Sequence, residues 1–286
     1  MPAESKGRPS RSGRPRSTSA EQRSPAARPQ ANDRRSERGT AGRGERQRRD
    51  PVRPPSAGPT DAGRPPGPPL PDDARAELLP RAVQRALTTL TPDVAELTGR
   101  HLAAAGLLVD EDPVRALAHA RYAKERAARI PETREALGVT AYANGDFALA
   151  RTELRAARRM AGTPELIPLL ADCERALGRP DAALELAALP ETARLGHDDR
   201  IELAMVVAGA RLDLGQAPQA VAVLSLPELS APDAAAAASP AILRLWYAYA
   251  DALDAAGRRE EAADRMARVA ELDEQGLTDA AERFAD

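Results

Sequence analysis

Cysteine is nearly absent from this chain. The single one, Cys173 in "LADCERALG", cannot build a disulfide framework or a cysteine metal cluster, and it is expected to be a small buried side chain. Histidines are three, His101, His119 and His197, far apart in sequence. They share no ligand spacing with one another or with Cys173, so neither a zinc site nor a Cys–His nucleophile is expected. "GHDDR" at 196–200 could hold a cation, but a loop leading into a helix explains Asp198 and Asp199 as caps. No glycine loop is framed to cradle a phosphate: "GRGER" at 42–46 has no strand before it and no helix after it. No apolar run approaches the roughly 20 residues of a membrane span, and the amino terminus lacks the apolar core of a secretory signal. The expectation is a cytoplasmic, non-enzymatic protein with no catalytic residue, cofactor or metal.

What is present falls into two oppositely charged parts. Residues 1–71 hold 16 Lys+Arg against 7 Asp+Glu, 14 of the 26 prolines and no aromatic residue, whereas residues 72–286 hold 25 against 36. In the first part the large apolar side chains are chiefly Val52 and Leu70, too few for burial to offset the entropy of ordering the backbone. Residues 1–71 are therefore predicted to be a disordered basic tail, ending in a polyproline-like linker, "RPPGPPLP" at 64–71. An Arg/Ser-rich, acid-poor start is also the composition of an organelle transit peptide, though no amphipathic face is visible.

Residues 72–286 are periodic. Ala116, Ala150, Ala183, Ala220 and Ala262 recur at intervals of 34, 33, 37 and 42 residues in similar helical contexts. Gly145, Gly178, Gly215 and Gly257 each stand five residues before an alanine of this series, where a tight turn between helices needs positive φ. The alanine is expected where the second helix of a pair crosses the first closely, so that a larger side chain would overpack. Thr91-Pro92, Asp112-Pro113, Thr163-Pro164 and Ser239-Pro240 each put a capping oxygen before a proline at a helix start. The pattern predicts a leading helix at 73–90, helix pairs at about 92–108/113–129, 131–143/147–160, 164–177/180–189, 200–214/217–226 and 240–256/259–272, and an end helix at 277–285. Two connecting loops both open with Leu-Pro-Glu, at 189–191 and 226–228.

The stretch "ALGVTAYANGDFALARTELRAARR" at 136–159 resembles the tetratricopeptide repeat. Leu137, Gly138, Gly145, Phe147, Ala150, Leu154 and Ala157 fall at that family's spacing, and the last pair adds Trp246 in the large-residue slot of its first helix. Pro180 and Ala217 depart from the aromatic expected after the turn. The resemblance covers residues 92–275. It implies an all-α, right-handed superhelical solenoid of about five helical hairpins that acts as a scaffold or adaptor for a protein or peptide. An Arg-rich tail before such repeats is also similar to repeat proteins of high-GC bacteria.

In the family the first helices line the concave groove. The resemblance thus puts Glu132, Glu135, Glu165, Asp172, Glu202, Asp213, Asp251 and Asp254 on or near it, with Tyr142 and Tyr247 as apolar contacts. A partner there is expected to be basic; the plainer alternative is a solvated acidic face. Arg151, Arg155, Arg158 and Arg159 lie three to four residues apart and form a basic stripe on one helix. With the tail through residue 64 they supply the other reading, an RNA- or ribosome-associated factor contacting phosphates electrostatically. Against it, 39 of the 41 basic residues are arginine and the tail has no aromatic residue to stack on bases. The +9 tail folding back on the acidic solenoid is a third arrangement.

Overall fold

The computed structural model describes residues 66–230 and 239–283, all within one compact unit, Asp61–Asp286. The predicted disorder of the tail through residue 65, and the last residues of the predicted end helix, lie outside the described residues.

The described residues form twelve α-helices and no strand. They are α1 (Arg81–Leu87), α2 (Pro92–Leu108), α3 (Pro113–Ala127), α4 (Pro131–Ala143), α5 (Phe147–Ala161), α6 (Ile167–Ala176), α7 (Pro180–Ala187), α8 (His197–Asp213), α9 (Ala217–Leu224), α10 (Pro240–Ala255), α11 (Arg259–Leu272) and α12 (Ala280–Arg283). From α2 onward they pack as five hairpins, α2/α3, α4/α5, α6/α7, α8/α9 and α10/α11, and each hairpin packs against the next. The fold is an all-α solenoid.

Four of the five hairpins close with the same turn. The first helix of each ends before Gly145, Gly178, Gly215 or Gly257, all at φ between 71° and 78°, a region that costs an L side chain steric strain. In the α4/α5 turn the Gly145 amide donates to Tyr142 O at 2.9 Å and the Asp146 amide reaches back to Ala141 O at 2.8 Å. This is the Schellman pair of bonds, which satisfies carbonyls a helix end would otherwise leave bare. The same two bonds recur at Gly178/Arg179, Gly215/Gln216 and Gly257/Arg258. Asp146 then caps α5, accepting from Leu149 N at 3.0 Å.

The five repeating alanines, Ala116, Ala150, Ala183, Ala220 and Ala262, are all completely buried. On α5 the buried set Ala150, Glu153, Leu154 and Ala157 follows the i, i+3, i+4, i+7 spacing of a helix with one face inward. Gly138 on α4 faces it so closely that a Cβ there would lie 2.5 Å from Leu154 Cγ. Trp246, nearly buried on α10, donates Nε1–H to Glu228 O at 3.2 Å. Both Leu-Pro-Glu stretches initiate 3-10 turns, Pro190–Arg194 and Pro227–Ser230.

Five local expectations differ from what forms. The leading helix is broken: Ala76–Leu78 is a 3-10 turn and α1 begins only after Pro80, whose ring and missing N–H exclude it from a helix interior. Asp112 and Ser239 do cap, accepting from Arg115 N and Ile242 N, but Thr91 makes no such bond. Thr163 is not a cap, because Pro164–Leu166 form a separate turn and α6 starts at Ile167. Asp198 and Asp199 sit inside the first turn of α8, with Gly196 at the cap position; there their charge complements the helix dipole. Finally, packing begins before residue 72. A Cβ on Gly67 would come within 2.7 Å of Tyr122 Cζ and 2.9 Å of His101 Cε1, and Arg100 Nε holds Ala74 O at 3.2 Å.

Candidate functional site: the surface of the first helices

Two of the cavities among the described residues lie between the first helices of neighbouring hairpins, α2, α4, α6, α8 and α10. One, of about 460 Å³, is lined by Asp172 and Arg175 of α6, Met205, Gly209 and Asp213 of α8, and Ala248 and Asp251 of α10, among others. The other, of about 240 Å³, lies where α1 and the turn before it meet α2 and α4, and is lined by Leu79, Val83, Leu102, Gly106, Glu132, Glu135 and Val139, with Ala and Thr neighbours.

Every acidic residue that the sequence placed on this surface between α6 and α10 and that lines or borders the larger cavity has a cation or hydroxyl on it. Asp172 accepts from the Tyr142 hydroxyl and from Arg175 Nε, the latter at 2.9 Å. Arg175 also reaches Asp213 at 3.4 Å. Its stem passes over Gly209, where a Cβ would lie 3.2 Å from Arg175 Cδ, so the missing side chain makes room for the bridge between α6 and α8. Glu202 is paired with Arg244, and Asp251 with Arg283. Tyr247 donates to Asp279 at 2.5 Å and accepts from Arg283 at 2.6 Å. Tyr142 and Tyr247 are therefore hydrogen-bonding residues here rather than purely apolar contacts. Burial, and then the hydrogen bond to Asp172, pushes the Tyr142 hydroxyl well above its usual range.

Glu132, Glu135 and Glu165 are different. None has an ion-pair partner among the described residues. Burial raises the Glu135 carboxyl above its ordinary value, and the charges of Glu132 and Glu165 raise it further. Glu132 Oε2 is shielded from solvent without a hydrogen-bond partner.

The basic stripe of α5 is largely engaged within the fold. Glu174 of α6, 1% exposed, takes Arg155 at 2.7 Å, Arg151 at 3.5 Å and Arg179 at 3.1 Å. Arg158 pairs with Glu191. Of the four, Arg159 has no ion pair among the described residues and is exposed. One hairpin earlier, buried Glu153 of α5 takes Lys124 at 3.3 Å and Arg134 at 2.6 Å. The stripe is thus in good part the seam between neighbouring hairpins, which subtracts from what it could offer to phosphates.

The separation of His101 and His119 in sequence does not survive folding. They lie equally far from Asp110, on facing sides of the α2/α3 hairpin, and their Nδ1 atoms are 2.8 Å apart with both rings buried. One Nδ1 must carry a proton and the other a lone pair; a second proton would set two N–H groups head to head. Burial, the partner ring and Arg100 lower His101 from 6.5 to about 4; burial and Arg115 lower His119. The Tyr122 ring packs against His101 in a tilted arrangement, 4.2 Å between centroids. The symmetry of the two positions about the turn was the signal available in sequence. No group of three or more His, Cys, Asp or Glu is arranged to hold a metal among the described residues. Cys173 is buried, and burial with the neighbouring Asp172 and Glu174 pushes its thiol up to about 12, far from the thiolate that nucleophilic chemistry requires. No helix of the described residues is long and apolar enough to cross a membrane.

No family model and no curated protein matches the chain. Among solved structures, one of kinesin light chain TPR-like repeats from Podosopora anserina is similar at 20% identity, covering 60% of this chain and 92% of that one, with a TM-score of 0.46. Another, YrrB, described as a TPR protein with an unusual peptide-binding site, is similar at 17% identity over 70% of this chain and 96% of that one, with a TM-score of 0.41. Both similarities are remote in sequence and partial in shape.

Proposed function

We propose that this protein is a non-enzymatic docking scaffold that receives another polypeptide along the first helices of its hairpins. The observation that carries the reading is that the two cavities described above open along α2, α4, α6, α8 and α10, the helices that follow one another along the array. A solenoid that stacks equivalent helices presents an extended surface to a partner, and cavities spaced along it accept successive side chains. The paired carboxylates between α6 and α10 give that surface fixed, oriented polar groups rather than free negative charge.

Site-specific cross-linking tests it. A photoreactive amino acid in place of Asp213, beside the larger cavity, is expected to capture a polypeptide in cells, whereas the same group in place of Glu185, exposed on the second helix α7, captures none. Equal capture at both positions, or capture at Glu185 alone, would overturn the reading.

A further inference from the structure

Three glycines lie inside the first helices α2 and α4, and two of them are explained by packing. A Cβ on Gly99 would meet Ala76 Cβ at 2.6 Å, and one on Gly138 would meet Leu154 at 2.5 Å. Gly106, inside α2, has nothing within 4 Å of where its Cβ would be and is not among the glycines with positive φ. Glycine inside a helix is destabilising relative to alanine. Neither the turn geometry nor a close neighbour requires it here, yet it lines the smaller cavity.

The cavity's other walls are well held. Gln84 of α1 donates to Leu79 O at 2.7 Å and to Glu77 O at 3.0 Å, fixing the turn that carries Leu79 against α2 and α4. The walls are mostly carbon, from Leu79, Val83, Leu102, Val109 and Val139. Pockets that enclose a whole small ligand run roughly 300–1,000 Å³, so a cavity of about 240 Å³ is matched to one protruding side chain. Its polar rim is Glu132 and Glu135, with Glu165 close enough to raise the Glu135 carboxyl. A buried carboxylate oxygen without a donor, beside a carboxyl raised by burial and then by two like charges, marks a site that would be relieved by a cation.

We infer that this cavity is a specificity pocket for a polypeptide segment in which an apolar side chain is followed closely by an arginine or lysine. The apolar side chain fills the space kept open by Gly106, and the basic one reaches Glu132 and Glu135. The inference rests on the docking reading above and adds the partner's chemistry.

The test uses the full chain and a fluorescein-labelled, amidated peptide, Gly-Ser-Leu-Arg-Gly-Ser-Leu-Arg-Gly, with two controls: glutamate for arginine, and alanine for leucine. Fluorescence anisotropy is expected to show binding of the first peptide and a loss of roughly tenfold or more with either control. Gly106→Leu projects a side chain into the cavity from a position where its Cβ meets nothing within 4 Å. It should keep the circular dichroism and thermal midpoint of the parent, or raise the midpoint, while binding falls by a similar factor. Glu132→Gln with Glu135→Gln should weaken the arginine peptide and leave the glutamate control unchanged. Binding that is undiminished in folded Gly106→Leu overturns the pocket assignment. If the peptide fails to bind but a partner still cross-links through position 213, the pocket assignment falls and the docking reading stands. If neither occurs, both fall.

Discussion

The two ends of the array treat their ionisable groups in opposite ways. Between α5 and α10 a set of carboxylates is paired, mostly across hairpins: Glu174 with three arginines, Asp172 and Asp213 through one, Glu202 with Arg244, Asp251 with Arg283. Toward the amino-terminal end Lys124 and Arg134 still pair with Glu153, but the His101–His119 pair is without a proton to spare and Glu132, Glu135 and Glu165 are without a cation among the described residues. Formal charge on a surface therefore says little about what that surface can receive. The paired carboxylates of that first group are already part of the structure. Glu132, Glu135 and Glu165 are free to meet something else.

The largest effect should come from unpairing the buried end of the first group. Arg155→Met with Arg179→Met leaves Glu174 only Arg151, and stranding a buried carboxylate costs about 3–5 kcal/mol when no partner remains. With one partner left, a loss of about 2–3 kcal/mol in urea denaturation is expected; a loss below about 0.5 kcal/mol would mean the seam is electrostatic decoration. Next comes acid. Because His101 is lowered in the folded chain from 6.5 to about 4, the folded state binds fewer protons than the unfolded one. Its contribution is present above pH 6.5 and is lost as pH falls from 6.5 toward 4. At about 1.4 kcal/mol per unit, that is of order 1–3 kcal/mol. His101→Leu with His119→Leu should flatten the curve between pH 7 and 5, and hydrogen exchange in the parent should locate the loss in α2 and α3. Identical pH curves for parent and double variant would show that the pair does not titrate in this range. The smallest effect is at the other group. Glu135→Gln removes a charge that its neighbours already disfavour, so stability above pH 6 should stay level or rise by about 0.5 kcal/mol. A clear loss would reveal a cation partner and dissolve the contrast between the two ends.

The hairpins were legible because what closes them is local. A turn glycine, a small residue five positions on and a helix-period apolar face are all contained in one unit, and the Schellman bonds at Gly145, Gly178, Gly215 and Gly257 span six residues each. The misreadings have local causes too: at Thr163 the proline that suggested a helix start opens a separate turn instead. The pairings were not legible. Arg158 reaches Glu191 over 33 residues and Arg244 reaches Glu202 over 42, distances at which sequence spacing carries no angular information. The histidines were a nearer miss, since a hairpin turn at Asp110 would have set them opposite each other. Gly106 was invisible in sequence because its meaning lies in what it fails to touch.

The same closing turn, repeated four times, bears on how the chain acquires its shape. A hairpin whose turn bonds and helix contacts are short in sequence can form without waiting for distant segments, and chains rich in such contacts fold fast. Growth of the array can therefore begin at more than one hairpin and spread by neighbour docking. The late event is then the joining of adjacent units, where Arg155 meets Glu174 and Lys124 meets Glu153.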